Sequence, residues 1–351
     1  MSQAEIVRPR PLAIEKSGPL TDRDSMKTAT QIHSTLASTQ SSTQNILKSF
    51  VSRASQIVFG KEREIQLALT CLLARGHLLV EDVPGVGKTT LVKTLAHLLN
   101  LPLTRVQFTN DLLPGDLLGG RVYDQRAGIF SVVKGPLFSP FILADELNRA
   151  TPKTQSACLQ AMEERQISID GETFSLPEPF FVIATQNPRQ QIGTYPLPES
   201  QLDRFLMRIG LGYPDRQSEQ RLLKEGISAG GPADRIANLE PVFDAASLIY
   251  HQNAVEAVHL SDALVEYIQA IAAKTRETGI SGEGLSPRGA LALARAARAW
   301  AYLQGRTMTL PEDVQAVSVS VLSHRLNPTE DPTGETGRRK AEDVLAQVKA
   351  V

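Results

Sequence analysis

The 351-residue sequence predicts an α/β protein: a mostly parallel five-stranded sheet with helices on both faces, followed by a small all-helical domain. Three observations carry this. Between residues 77 and 211 short apolar runs alternate with amphipathic stretches of helical length. Beyond Pro214 the apolar runs stop and helical periodicity alone remains. Apolar residues make up 42% and charged residues 21%, enough to build a core without disulfide or metal staples.

Residues 1–44 read as a disordered tail, since Thr21–Gln44 is crowded with Ser, Thr and Gln and has few large apolar side chains to offset the entropy of ordering. A helix follows from Asn45 to Gly60, and a second over Lys61–Ala74. The five strands are "HLLVE" (77–81), "RVQF" (105–108), "FILAD" (141–145), "FFVIAT" (180–185) and "LMRIGL" (206–211), with helices at Lys88–Leu99, Pro152–Glu163 and Glu199–Phe205. Two insertions interrupt the alternation: a Gly-rich one over Leu113–Gly135, and Gln166–Leu176, a hairpin turning at Asp170–Gly171. Arg216–Glu225 is helical, "GISAGGPAD" a linker, and helices near 243–256, 261–276, 288–303 and 311–323 form a separate domain. The polar, Pro- and Gly-rich 327–340 reads as mobile, with a helix added by the last ten residues. The domains are thus 1–44, 45–228, 236–326 and a flexible 327–351.

Lys plus Arg total 37 against 38 Asp plus Glu, a formal net charge of −1, which predicts no broadly basic nucleic-acid surface. Cys71 and Cys158 fit no metal or redox spacing, and the six histidines form no ligand cluster. No run approaches membrane-spanning length, and Met1–Arg10 lacks the apolar stretch of a signal peptide, so a cytoplasmic protein without direct membrane insertion is expected.

The strongest local signal is a strand, a Gly-rich turn, Lys88–Thr89 and a helix, the context a phosphate-binding loop requires. Asp82, Val83, Pro84, Gly85, Val86, Gly87, Lys88, Thr89 and Thr90 form that loop. Gly85 and Gly87 let backbone N–H groups curl inward, Lys88 reaches the β/γ oxygens of ATP and the Thr89 hydroxyl ligates Mg²⁺. The strict pattern has Gly where this chain has Asp82, at a position that ends the strand rather than wrapping phosphate. Next, "FILADELNRA" delivers Asp145 and Glu146 from a strand end, Asp145 for the metal and Glu146 for the attacking water. Gln186 and Asn187 leave a third strand at the same sheet edge, where Asn187 can bond water or the γ-phosphate. On residues alone Arg204, Arg208 and Arg288 read either as phosphate contacts or as surface arginines. Arg288 lies in the first turn of a helix, where a cation is unfavourable unless an anion bridges it.

Over about residues 45–326 the sequence resembles the MoxR family of AAA+ ATPases. The resemblance rests on "EDVPGVGKT" (81–89), "QFTNDLLPGDLLG" (107–119), "KGPLF" (134–138), "ILADELNRA" (142–150), "LPEPFFVIATQNP" (176–188), "YPLPESQLDRF" (195–205) and "SPR" (286–288). It implies a P-loop NTPase with an AAA+ αβα core and a helical lid. It makes Asn187 sensor 1, Arg204 an arginine finger reaching a neighbouring subunit, and Arg288 a sensor 2 reaching down from the lid. Arg149 is a second candidate for an inter-subunit contact. The segments near 109–133 and 166–176 become the family's helix-2 insertion and the hairpin before sensor 1. It further implies a homo-oligomer, a hexameric ring, that hydrolyses ATP with Mg²⁺. Its partners would be a von Willebrand factor A domain protein and a client enzyme undergoing chaperone-like assembly, activation or metal or cofactor insertion. The alternatives are an AAA+ motor acting on nucleic acid and a nucleotide-gated scaffold with negligible hydrolysis.

Overall fold

The computed structural model describes residues 43–126, 128–187, 193–227, 231–277, 284–326 and 335–350. The expectations for the tail through residue 42 and for 327–334 lie outside the described residues. The chain enters through helices α1 (residues 43–55) and α2 (Glu62–Leu73). The core then alternates β1 (Leu78–Glu81), α3 (Lys88–Leu98), β2 (Leu103–Gln107), the short α4 (Pro114–Leu118), hairpin β3 (Gly119–Asp124) and β4 (Ile129–Lys134), then β5 (Phe141–Asp145). It continues with α5 (Pro152–Glu164), hairpin β6 (Gln166–Ile169) and β7 (Glu172–Ser175), β8 (Phe181–Gln186), α6 (Glu199–Leu202) and β9 (Met207–Ile209). Among the described residues β2, β5, β8, β1 and β9 form, in that order, one sheet in which every pairing is parallel.

The inner strands are apolar on both sides because the sheet is covered on both sides, and alternate residues serve different cores; the edge strand β2 buries only Val106. Leu78, Val80, Leu143, Ile183 and Met207 pack on one face, together with α1, α2 and α3. Leu79, Val106, Ile142, Ala144, Val182 and Ala184 face the other, beneath Leu159 and Met162 of α5. Cys71 and Cys158 are free and buried within these two layers; desolvation raises the Cys158 thiol to about 12 and Cys71 further still.

The expected turn of the second hairpin is present: Asp170 and Gly171 both have positive φ, 48° and 83°, which suits a two-residue connection between twisted strands. The first insertion is also a hairpin, which its Gly-rich texture did not suggest. Its strands leave Val122, Tyr123, Ile129, Phe130 and Val133 exposed, and Arg121 ties it to Glu172 of the second hairpin at 3.0 Å.

After β9 come α7 (Arg216–Ile227), α8 (Pro232–Ala237), α9 (Ala245–Glu256), α10 (Asp262–Thr275), α11 (Pro287–Leu303), α12 (Pro311–Leu322) and α13 (Glu335–Gln347). Helix α8 forms where a linker was expected, with Pro232 at its first position. Asp244, Ser261 and Ser286 cap α9, α10 and α11 by accepting a backbone N–H. The helical part packs closely on the core: Leu293, Ala296 and Trp300 of α11 share one continuous apolar layer with α2 and one sheet face. In the C-terminal segment Ala341 and Val344 of α13 are buried against α10 and α12. Among the described residues no helix is long and apolar enough to cross a membrane.

Candidate active site

At the C-terminal edge of the sheet, β1 runs into the glycine loop. Gly85 and Gly87 have φ of +86° and +95°, left-handed values that turn successive N–H groups inward and that a side chain would strain. Helix α3 then starts with no side-chain acceptor at its cap and no acid in its first turn, leaving its N–H groups to an external anion. Lys88, half-buried, donates to the Asp82 carbonyl at 2.5 Å. Desolvation lowers its pKa, while Asp82, Asp145, Glu146 and Glu81 pull it back up, so its charge is balanced by acids of this same edge. Asp82 does more than end the strand. Its carboxylate accepts from Val83 N at 2.7 Å and from Gly212 N at 2.5 Å, tying the loop to the chain leaving β9. A glycine could not make that tie.

Strand β5 is buried throughout. Asp145 at its end accepts the Thr185 hydroxyl on Oδ1 at 2.6 Å, and both Nε and Nη2 of Arg105 on Oδ2 at 3.0 and 2.7 Å. Glu146 follows in a left-handed conformation, φ 57° and ψ 48°, uncommon for a residue with a side chain and held by a bond from its N–H to Thr185 Oγ1 at 2.9 Å. Its Oε2 accepts Gln107 Nε2 at 2.9 Å and Arg149 Nη1 at 2.7 Å. Thr185, Arg105 and Gln107 were missed from sequence. The available signal was the polar, apolar, polar order of Arg105, Val106 and Gln107, which puts two polar side chains on one face beside the end of β5.

Glu81 and Gln186 are paired in register, so β1 and β8 end together, and Asn187 follows directly; its carbonyl accepts Asn148 Nδ2 at 3.4 Å. Gln186 turns to Glu81, with Nε2 3.0 Å from Oε1. Arg208 also goes to Glu81, at 2.8 Å; with their side chains 13% and 9% exposed, this is an internal ion pair and not a reaching arginine. Lys88, Asp145, Glu146 and Asn187 therefore share one sheet edge, as their motifs implied.

Arg204 and Arg288 do not join them. Met207 pairs with Leu78, the first residue of β1, so Arg204 lies at the opposite, N-terminal edge, about 10 Å of strand away. There Glu163, in the last turn of α5, takes Arg204 Nε on Oε2 at 3.0 Å and Arg288 Nη1 on Oε1 at 2.5 Å. Asp203 accepts Ser286 Oγ at 3.2 Å and Arg325 Nε at 2.6 Å, and Arg325 also donates to the Phe205 carbonyl at 2.8 Å. The start of α11, with Arg288 on it, is thereby bonded to the segment carrying Arg204. Bound to Glu163, the Arg288 guanidinium stands at this N-terminal edge, away from the phosphate loop of its own chain. The two arginines line a cleft of about 200 Å³ together with Arg75, Arg165, Arg295 and Arg325.

The donor set suits a nucleotide with Mg²⁺. The Thr89 hydroxyl and Asp145 carboxylate are hard oxygen ligands of the kind Mg²⁺ takes alongside phosphate oxygens, and the glycine nest suits the phosphates. Among the described residues no group of three or more His, Cys, Asp or Glu forms a free-standing metal centre.

A parallel sheet with order β2-β5-β8-β1-β9, a glycine nest after β1 and an acid pair at the end of β5, with β8 between them, define a P-loop ATPase core with a helical lid. Comparison with known proteins agrees. The profile of the ATPase family associated with various cellular activities (AAA) matches residues 77–207, and that of the AAA lid domain matches residues 263–347. The chain belongs to the AAA+ ATPases. Within them it is MoxR-like: it is 38% identical to Chaperone MoxR1 of Mycobacterium tuberculosis over 295 residues, covering 81% of this chain and 76% of that one. It is 42% identical over 306 residues to the uncharacterized protein YeaC of Bacillus subtilis, covering 87% of this chain and 94% of YeaC. A crystal structure of a candidate ATPase from Cytophaga hutchinsonii superposes with a TM-score of 0.79 at 36% identity, covering 91% and 98% of the two chains.

Proposed function

We propose that the protein is a Mg²⁺-dependent ATPase that works as a homo-oligomeric ring, with a hexamer the reading the family favours, in the chaperone-like assembly or activation of partner proteins in the cytoplasm. The observation that carries this is the split between the two sheet edges. The groups that hold and hydrolyse a triphosphate stand on one edge, and the two arginines suited to its transition state are pinned to the other. One copy cannot close such a site on itself; a second copy, offering its N-terminal edge to the first one's C-terminal edge, completes it.

In the reaction, water attacks the γ-phosphorus as the bond from phosphorus to the β,γ-bridging oxygen breaks, giving ADP and phosphate. Glu146 orients the water and takes its proton, after turning from Gln107 and Arg149, which hold its Oε2. Lys88 and the loop N–H groups hold the β- and γ-oxygens, and Asn187 bonds the water or the γ-phosphate. Arg204 and Arg288 of the neighbour offset the charge on the transferring group. Thr89 and Asp145 would hold Mg²⁺, which would supply further charge neutralisation. The exposed β3–β4 hairpin, tied to the β6–β7 hairpin through Arg121 and Glu172, is suited to pass nucleotide-driven movement to a client. The kinship with a chaperone supports such a client, and the family resemblance favours a von Willebrand factor A domain protein as the partner.

Lys88→Ala is expected to lose ATP binding, whereas Glu146→Gln keeps ATP and loses turnover by about 10²- to 10⁴-fold. Nucleotide affinity and phosphate release measured side by side decide this. Normal turnover by Glu146→Gln would remove it as the base. Affinity capture with Glu146→Gln held in ATP tests for a client.

A further inference from the structure

We propose that Glu163 is a positioning residue: its single carboxylate binds Arg204 and Arg288 side by side, so that both guanidinium groups enter the neighbouring protomer's triphosphate site as one unit. This rests on the trans-acting reading above and gives it a residue that no motif marks.

The cleft holds six arginines but uses them in two ways. Four are committed to structure. Arg325 is bonded to Asp203 and to the Phe205 carbonyl, Arg295 donates to the Ala74 carbonyl at 2.8 Å, Arg165 donates to the Arg75 carbonyl at 2.9 Å, and Arg75 pairs with Glu178 and Glu256. Arg204 and Arg288 are different. Among the described residues each has Glu163 as its only ion-pair partner, and each reaches it through one nitrogen, Nε of Arg204 and Nη1 of Arg288. The rest of each fork remains to meet an anion. Their side chains are 27% and 45% exposed, so the pair is open to an approaching phosphate.

Two guanidinium groups this close repel each other, and one carboxylate between them removes the repulsion while leaving a net positive charge. The mount is rigid: Glu163 follows buried Met162 in the last turn of α5, whose Cys158 and Leu159 are also buried. The location is informative too. An acid in the last turn of a helix faces the negative end of the macrodipole and is unfavourable there unless cations offset it. That turn contains no basic residue of its own, and the two arginines come from the segment before β9 and the start of α11, distant in sequence.

The test uses the full-length protein under conditions where it self-associates. In Glu163→Gln the arginines separate, and kcat is expected to fall roughly 10- to 100-fold, the scale of a misplaced catalytic group. ATP affinity, assembly mass and thermal midpoint should stay at wild-type values, and Glu163→Asp should recover part of the rate. Mixing Glu163→Gln with Glu146→Gln should restore turnover, because the first protomer keeps its hydrolytic edge and the second keeps its arginine pair. Wild-type kcat in Glu163→Gln overturns the inference while leaving the trans site intact, provided Arg204→Ala still loses activity. Loss of folding in Glu163→Gln with no recovery on mixing overturns it as well, reducing Glu163 to a structural role. Wild-type turnover by Arg204→Ala would instead sink the trans reading itself.

Discussion

The two edges of the central sheet are built in opposite ways. At the C-terminal edge each working residue lies at or just beyond a strand end: Lys88 after β1, Asp145 and Glu146 at β5, Asn187 after β8. Parallel strands end together, so register alone gathers these groups. At the N-terminal edge nothing is gathered by register. Glu163, Asp203, Arg204, Ser286, Arg288 and Arg325 come from α5, the approach to β9, the start of α11 and the turn after α12, and salt bridges and one hydrogen bond hold them. One edge is a property of the sheet, the other a property of how helices dock on it.

The largest expected effect tests whether the second edge takes part in chemistry at all. Arg204→Ala and Arg288→Ala should each lower turnover of the assembled protein by about 10³-fold or more, the scale of an arginine supplied in trans. ATP affinity of the isolated protomer should not change, because neither side chain lies near its own phosphate loop. Mixing either variant with Glu146→Gln should restore phosphate release. If Arg288→Ala weakens ATP binding by the lone protomer, the lid reaches its own nucleotide and the contrast between the edges fails.

The same contrast explains what the sequence reveals. Four of the five strands are legible because each is a short apolar run covered on both faces, while the edge strand β2 shows only an alternation with Val106 inward. The C-terminal edge is legible because its residues sit within a few positions of those runs, at fixed offsets. Thr185, which holds both Asp145 and the Glu146 backbone, hides as the last apolar-looking position of "FFVIAT". Glu163 is invisible for another reason: it is one of two glutamates ending an amphipathic helix, and its meaning comes from arginines 41 and 125 residues further along the chain. Arg208, by contrast, looks like Arg204 in sequence and is separated from it by the strand pairing that turns it to Glu81. The helical domain's shared core was likewise hidden, since α11 shows an apolar face without showing that α2 lies under it.

A smaller effect sharpens the contrast in stability. Arg325 is almost wholly buried, its side chain 5% exposed, and Asp203 is its ion-pair partner. Burial pulls its pKa down and Asp203 restores it, so removing the acid leaves a buried guanidinium without its counter-ion. Asp203→Ala should therefore destabilise the fold by about 3–5 kcal/mol. The corresponding cut at the other edge, Arg105→Ala, removes an arginine 52% exposed and leaves Asp145 its bond from the Thr185 hydroxyl, so it should cost less, about 1–2 kcal/mol. Urea unfolding of both variants measures the difference; equal losses would show that the edges do not differ in this way.

The smallest effect concerns acid. His77, at the start of β1, accepts the Val182 N–H on Nδ1 at 3.1 Å, which leaves Nε2 to donate to the Met162 carbonyl at 3.1 Å. Both nitrogens are used by the neutral ring, and protonation would set one N–H against another. Burial is the main reason its pKa drops to about 3, with Arg165 adding to the effect. His324, at the same edge and bonded to the Phe205 carbonyl, is lowered well below 6.5 by burial and then by Arg325, and His251 in α9 is lowered by burial. A histidine with a depressed folded pKa contributes stability that is fully present above its unfolded value of 6.5 and is lost as pH falls toward the folded value. Each such ring should contribute a slope of up to roughly 1.4 kcal/mol per pH unit below that point. Urea midpoints at pH 7, 6 and 5 should fall in sequence, well above the range where carboxylates titrate. In His77→Gln the protein should be less stable at pH 7 but lose stability less steeply, and an unchanged slope would mean that the N-terminal edge takes up its protons elsewhere.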